Sequence, residues 1–347
     1  MESILLKIAR RLITLPGYIL AWAICFATLP LWLPLAALAD VARGTRGVAL
    51  RSATFLAVYL SCEMLGIAAS AALWIWKHAA RVDEANWLDA HFRLETWWGT
   101  ALFRAVVCLF GIRLDVRGDA DLGRGPYILL VRHASTADTL LACALVSRPH
   151  RVQLRYVLKR ELLRDPCIDI CGNRLPNVFV DRFSGESARE IARVKDLARD
   201  LGPREGLLIY PEGTRFSSAK RQRVLERLEA AGDVGALDYA RSLECVLPPR
   251  RGGVLGVLDA APEADVVVCA HTGLEGSASL AQIWNGGLMN RTLQVEFRRV
   301  SRSAIPMRDD GGLAWLLAEW RRVDAWVLEH RQDGCDARVS GTAQEVS

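Results

Sequence analysis

No charged side chain occurs between Ile13 and Ala39, and a second apolar run from Ala53 to Trp76 is broken only by Glu63. As a helix, each run is long enough to cross a hydrocarbon layer of about 30 Å. A chain with two such runs in its first 80 residues must cover them with lipid or bury them. The first run is too long for a cleavable signal, and the second follows it after a short loop. Pro16, Pro30 and Pro34 predict a bent first helix. Lys7, Arg10 and Arg11 outnumber Glu2 before the first run, and Arg43, Arg46 and Arg51 outnumber Asp40 after it. Both flanks are positive, so the positive-inside rule does not choose an orientation. A re-entrant hairpin in one leaflet and two full spans both stay open. Either gives an even number of passes, so the N-terminus and the bulk of the chain are expected on one face, the cytoplasmic one, at the inner membrane if the source is bacterial. Glu63 is a candidate functional acid or a residue near the lipid boundary.

The remaining length suits one large domain. The expected division is an anchor of two hydrophobic helices over residues 1–90, a catalytic domain over 91–331 and a flexible tail over 332–347. Hydrophobic residues make up 51% of the 347, with the excess at the N-terminus. The net charge of +5, with arginine heavily used after residue 90, suits anionic headgroups or phosphorylated substrates. No recognition motif or alternation of aromatic and basic residues supports nucleic acid as a partner. The nine cysteines lie mostly inside apolar runs, and none form Cys-x-x-Cys. They read as reduced buried thiols, and nothing indicates a metal or a bound cofactor.

Lys77 to Asp89 reads as a charged linker, and Thr96 to Leu114 as an amphipathic helix leading into a strand. Its Trp97 and Trp98 fit headgroup depth or core packing equally well. From residue 112 strand and helix patterns alternate, which predicts an α/β fold: a mixed, largely parallel sheet flanked by helices. Strands are expected over 112–117, 126–132, 153–158, 177–181, 206–210, 244–248, 265–271 and 293–299. Ser187 to Glu190 forms a capping box, Ser218 opens a basic helix through Leu228, and Leu313 to Val327 is amphipathic.

Three clusters of reactive side chains each follow an apolar strand. His133 follows Tyr127–Val131, Asp181 and Arg182 follow Val178–Val180, and Pro211-Glu212-Gly213-Thr214-Arg215 follows Leu207–Tyr210. In an α/β sheet ligands gather at the carboxyl ends of strands, so parallel neighbours would bring the three together. Ser135 and Thr136 stand where a helix would begin, which puts Asp138 one turn beyond His133 and within reach of its imidazole. A carboxylate-held histidine can deprotonate an alcohol near neutral pH. Arg182 and Arg215 are planar cations suited to phosphate, and Gly213 allows a ligand close to the backbone. His78 and Asp83 have the same spacing, but they lie in a charged stretch with no strand before them.

His-x4-Asp, then Phe179-Val180-Asp181-Arg182, then Pro-Glu-Gly-Thr-Arg, in this order, resemble blocks I to III of the glycerolipid acyltransferases, which acylate lysophosphatidate and related lysophospholipids. Val246-Leu247-Pro248-Pro249-Arg250 resembles a fourth block, and the Trp320 to His330 helix resembles the membrane-anchored lysophosphatidate and lysocardiolipin subgroup. Arg132 stands where the family has Asn or Ser, and Cys171-Gly172-Asn173 replaces its Gly-Trp pair. The resemblance implies that His133 is the base and that Asp138 fixes its tautomer. It also implies that Arg182, Thr214 and Arg215 hold the acceptor's phosphate, with Gly213 beside them, Glu212 orienting Arg215 or Thr214, and Lys159 joining the set. The side chain of Arg132 either adds to the phosphate site or points away. The implied reaction moves a fatty acyl group from acyl-CoA or acyl-carrier protein to the glycerol hydroxyl of a lysophospholipid, foremost 1-acylglycerol 3-phosphate. Glycerol 3-phosphate, lysocardiolipin or an amino-lipid are alternative acceptors, and a non-enzymatic anion-binding protein is a further alternative.

Overall fold

The computed structural model describes residues 4–118, 121–135, 137–180, 187–277, 279–307 and 310–331. Its strands are β1 Arg113–Arg117, β2 Tyr127–Val131, β3 Gln153–Lys159, β4 Val178–Val180, β5 Glu205–Ile209, β6 Asp265–Thr272 and β7 Thr292–Val300. The chain forms two compact units that interleave in sequence, Met1–Gly111 with Thr139–Leu197 and Ile112–Asp138 with Ala198–Ser347.

In the first unit, helices Ile4–Ala27 and Leu29–Arg43 meet at 71°. The break falls at Thr28, whose Oγ1 donates to the Ile24 carbonyl at 2.7 Å. Pro30 then opens the second helix, where its missing N–H costs nothing. The next helix, Val48–Ala79, is long and apolar enough to cross a bilayer, and the bent pair passes the same test taken together. Large apolar side chains such as Leu5, Leu20, Leu35, Leu56, Leu65 and Ile75 stand exposed on these helices.

Helix Glu84–Phe110 runs antiparallel to Val48–Ala79. Arg51 donates to the Leu109 carbonyl, Trp98 donates to Glu63 at 2.8 Å, and Lys77 pairs with Glu84. The stretch expected to be a linker is therefore mostly helix, broken only around residues 80–83. There Asp83 accepts from the Asn86 N–H and starts the new helix. Glu63 is fully buried, away from any surface, and its second oxygen accepts from the Cys167 N–H at the start of helix Pro166–Gly172. Arg10 and Arg11 reach the same short helix, gripping buried Asp169 at 2.6 and 2.7 Å. In this unit β3 and β4 pair in parallel, with Lys159 opposite Val180.

The second unit orders its strands β1-β7-β6-β2-β5. β6 and β7 are antiparallel, and the other three neighbours are parallel. The mixed, largely parallel sheet with flanking helices is thus as expected. Every residue of β2 is at 0% exposure, which explains why its sequence is apolar without alternation. Parallel β2, β5 and β6 all end on one side of the sheet, so the residues after Val131 and Ile209 and the last residues of β6, His271 and Thr272, converge there.

No strand forms over 244–248. The Asp324 carboxylate, on helix Gly311–His330, accepts the N–H groups of Glu244, Cys245 and Val246 at 2.6–3.1 Å. Glu212 takes the Leu247 N–H at 2.8 Å, and Pro248 and Pro249 have none to give. Side-chain carboxylates satisfy the donors that a sheet ladder would have used.

Candidate active site

At the end of β2 the chain leaves the sheet and turns into helix Asp138–Ala142. Asp138 is fully buried and is the acceptor around which the turn folds. Its Oδ2 takes the N–H groups of Ala134 and Ser135 at 2.7 and 2.8 Å, and its Oδ1 takes the Ser135 hydroxyl at 2.5 Å. The same Oδ2 lies 3.0 Å from Nδ1 of His133. A carboxylate can only accept, so Nδ1 carries the proton and Nε2 is the basic nitrogen. Thr136, the other expected cap, lies outside the described residues. Burial opposes the charge on Asp138, but His271, His133 and Ser135 together hold its carboxyl down at about 2. Asp138 is therefore ionised across the physiological range, as the partner of a proton-accepting imidazole must be.

The Pro211–Arg215 loop is tied directly to this corner. Glu212 Oε1 accepts the His133 N–H at 2.9 Å, and Phe216 N–H donates to the His133 carbonyl at 2.7 Å. Arg215 therefore sits next to a residue bonded to His133. Glu212 does not orient Arg215 or Thr214: its two oxygens are spent on the backbone of His133 and Leu247. Burial pushes its carboxyl up to about 8, against those two donors and nearby Arg132. Thr214 Oγ1 instead receives Lys220 Nζ at 3.0 Å, and the same ammonium reaches the Arg215 carbonyl at 2.9 Å.

Gly213 has φ of +70°, and a Cβ there would fall 2.6 Å from Nε of Arg250. Only glycine lets that guanidinium lie against the loop backbone. The Arg250 N–H holds the Pro211 carbonyl at 2.8 Å, so the fourth sequence block reaches the same loop. Arg132 points away from any phosphate: it is buried, paired with Glu275 at 2.6 Å and donating to the carbonyls of His271 and Cys245. The structure thus ties the loop carrying Glu212, Gly213, Thr214 and Arg215 to the corner of His133 and Asp138 through Glu212 and Phe216. Arg182 lies outside the described residues, and Lys159 ends β3 in the other unit.

Tyr210, Lys220, Arg250 and His271 join the site without having been singled out for it. The Tyr210 ring stacks on His133 with centroids 4.2 Å apart. His271 was the most legible of these, being a polar residue closing an apolar strand as His133 nearly does. Among the described residues no group of three or more His, Cys, Asp or Glu side chains can hold a metal ion.

Residues 113–271 match the Acyltransferase family. Among similar proteins, lysophosphatidylinositol acyltransferase 10 of Caenorhabditis elegans is 22% identical over 68% of this chain and 60% of its own length. The 1-acyl-sn-glycerol-3-phosphate acyltransferase epsilon of Mus musculus is 24% identical over 63% of this chain and 62% of its own. The chain thus spans less than two thirds of either relative. The crystal structure of the 1-acyl-sn-glycerophosphate acyltransferase PlsC from Thermotoga maritima aligns with a TM-score of 0.46 at 12% identity, covering 78% of this chain and 98% of that one.

Proposed function

We propose that the chain is an O-acyltransferase that moves a fatty acyl group from an acyl thioester to the free hydroxyl of a lysophospholipid, a reading supported by the match of residues 113–271 to the Acyltransferase family. The preferred acceptor is 1-acylglycerol 3-phosphate, giving phosphatidate. The observation that carries this reading is the 3.0 Å contact between His133 Nδ1 and ionised Asp138, on a corner bonded to Glu212 and Phe216 at the two ends of the Gly213–Arg215 loop. Nε2 of His133 takes the proton of the acceptor hydroxyl while Asp138 stabilises the resulting imidazolium. The freed oxygen attacks the thioester carbonyl, the carbon–sulfur bond breaks, and the imidazolium returns the proton to the leaving thiolate. Arg215, Arg250 and Lys220, with Thr214, neutralise the acceptor phosphate.

In this reading residues 1–90 are the anchor, 91–331 carry the catalysis, and the exposed apolar side chains of the first helices meet lipid at the cytoplasmic face. Acyl-CoA and acyl-carrier protein both supply the required thioester. The lysophosphatidylinositol acyltransferase among the relatives supports a second acceptor with a larger headgroup. The test is acyl transfer from a radiolabelled thioester to lysophosphatidate, lysophosphatidylinositol, lysocardiolipin and glycerol 3-phosphate side by side. His133→Ala should lower kcat at least ~10³-fold for the preferred acceptor, with the protein still folded and in the membrane fraction. Undiminished transfer by that variant would sink the mechanism.

A further inference from the structure

A second buried imidazole faces the carboxylate of Asp138 from the side opposite His133. His271, near the end of β6, is fully buried. β2 and β6 are parallel with Val131 opposite Cys269. Two residues further along, the same register sets His133 level with His271. Nε2 of His271 lies 2.9 Å from the Arg132 carbonyl and 3.7 Å from Asp138 Oδ1. A carbonyl only accepts, so Nε2 carries a proton in either charge state of the ring. At 3.7 Å its approach to Asp138 is an electrostatic contact rather than a second full hydrogen bond.

The clasp is reciprocal, because Nη1 of Arg132 donates to the His271 carbonyl at 2.7 Å. Each side chain thus holds the other's backbone, and the clasp locks the chain one residue before His133. Nδ1 of His271 is buried with no partner among the described residues, a cost that folding for stability alone gives no reason to keep.

We propose that His271 is a positioning residue for acyl transfer: its Nε2–H, bonded to the Arg132 carbonyl and 3.7 Å from Asp138 Oδ1, draws that oxygen electrostatically and keeps the carboxylate turned so that Oδ2 stays on His133. This rests on the acyltransferase reading of the site. The donor draws part of the Asp138 charge away from His133 and so tempers the proton affinity of the base. The other titratable or charged groups around the pair are Arg132 beside it, Cys269 on β6, Glu275 beyond β6, Tyr210 and Glu212 after β5, and Cys245. Arg132 is matched by Glu275, and both oxygens of Glu212 face backbone donors. His271 and the hydroxyl of Ser135 are thus polar side-chain groups on the Oδ1 side of Asp138.

The experiment compares His271→Asn, too short to reach Asp138, with His271→Gln, whose amide N–H can occupy the Nε2 position. For His271→Asn, kcat should fall about 10- to 100-fold with KM within about threefold, and the acidic limb of the pH–rate profile should move up by about half a unit or more. His271→Gln should restore both most of the way. A purely structural role would lower activity without moving the limb, so an unmoved limb overturns the proposal. So does a Gln variant no better than Asn.

The second measurement needs no turnover. It follows modification of His133 by diethyl pyrocarbonate against pH, read by mass spectrometry of the peptide carrying it. The midpoint should rise in His271→Asn relative to wild type and His271→Gln, and equal midpoints in all three overturn the coupling. A wild type that transfers no acyl group, with the midpoint still raised in His271→Asn, would overturn the acyltransferase reading while keeping the coupling between His271 and His133.

Discussion

The same His-x4-Asp spacing occurs twice in this chain and builds two unrelated structures. His78 lies in the last turn of a long helix, where its Nδ1 bonds back to the Trp74 carbonyl at 2.7 Å and its ring rests on Trp74. Asp83 turns forward and caps the next helix through the backbone and side-chain nitrogens of Asn86. The two side chains look away from each other. At His133 the chain emerges from a strand that is buried and paired on both sides, so the backbone before the turn is fixed. Asp138 then has nothing forward to cap and folds back onto Ala134, Ser135 and the imidazole. Spacing puts an acid within reach of a histidine, but the preceding element decides whether they meet. A helix end offers the histidine its own i−4 carbonyl, and a strand end offers none.

The largest test of this contrast is Asp138→Asn. Asparagine can present its amide N–H to Nδ1, which would then accept, leaving the proton on Nε2 where it cannot take one from a hydroxyl. kcat should fall about 10²- to 10⁴-fold with a smaller change in KM. The same change also removes a charge. The folded pKa of Asp138 is depressed from the ordinary 3.8 to about 2. Its contribution is therefore fully present above about pH 4 and is lost as the pH falls through 2. Denaturant unfolding should show wild type ahead by about 2 kcal/mol at pH 7, with the gap closing below pH 4. A gap that stays constant into acid would mean that Asp138 is not held as a buried carboxylate.

Much of this corner was legible in the sequence because each of its parts is short in range. The apolar runs 127–131 and 207–210 fix two strands, and the residues just after each run must lie at the sheet edge. The roles of Glu212 and Arg132 were not legible, since each depends on partners far along the chain, Leu247 for one and Glu275 for the other. The missing strand at 244–248 has the same origin, because nothing in Glu244-Cys245-Val246 announces that Asp324 will take its N–H groups. The helix around Lys77 to Asp89 was obscured by charge. A run of charged residues reads as a linker until its pairing with a neighbouring helix is known. The interleaving of the two units leaves no compositional mark at all.

Glu212 sharpens the contrast at a smaller scale, because it links the Pro-Glu-Gly-Thr-Arg loop to the histidine corner through backbone alone. In Glu212→Gln one oxygen becomes an amide nitrogen facing either the His133 or the Leu247 N–H, donor against donor. One buried N–H is left unpaired, at a cost of about 1–3 kcal/mol. The urea midpoint should fall at unchanged slope. Had Glu212 oriented Thr214 or Arg215 instead, the same variant would raise KM for a phosphorylated acceptor and leave stability nearly intact.

The smallest expected effect belongs to the second His-Asp pair and completes the comparison. Asp83 caps its own helix through Asn86, so Asp83→Ala should lower the unfolding midpoint slightly through loss of the cap. Asp83→Asn should leave the midpoint nearly unchanged, because asparagine caps as well as aspartate. His78→Ala should remove only a ring packed on Trp74. None of the three should move kcat or the pH–rate profile in an acyl-transfer assay. The contrast with Asp138→Asn is then one of kind, since the same replacement at the same spacing silences one site and leaves the other a working helix cap. If Asp83→Asn lowered kcat as steeply as Asp138→Asn does, the preceding strand would not be what turns this spacing into a base, and the distinction between the two pairs would fail.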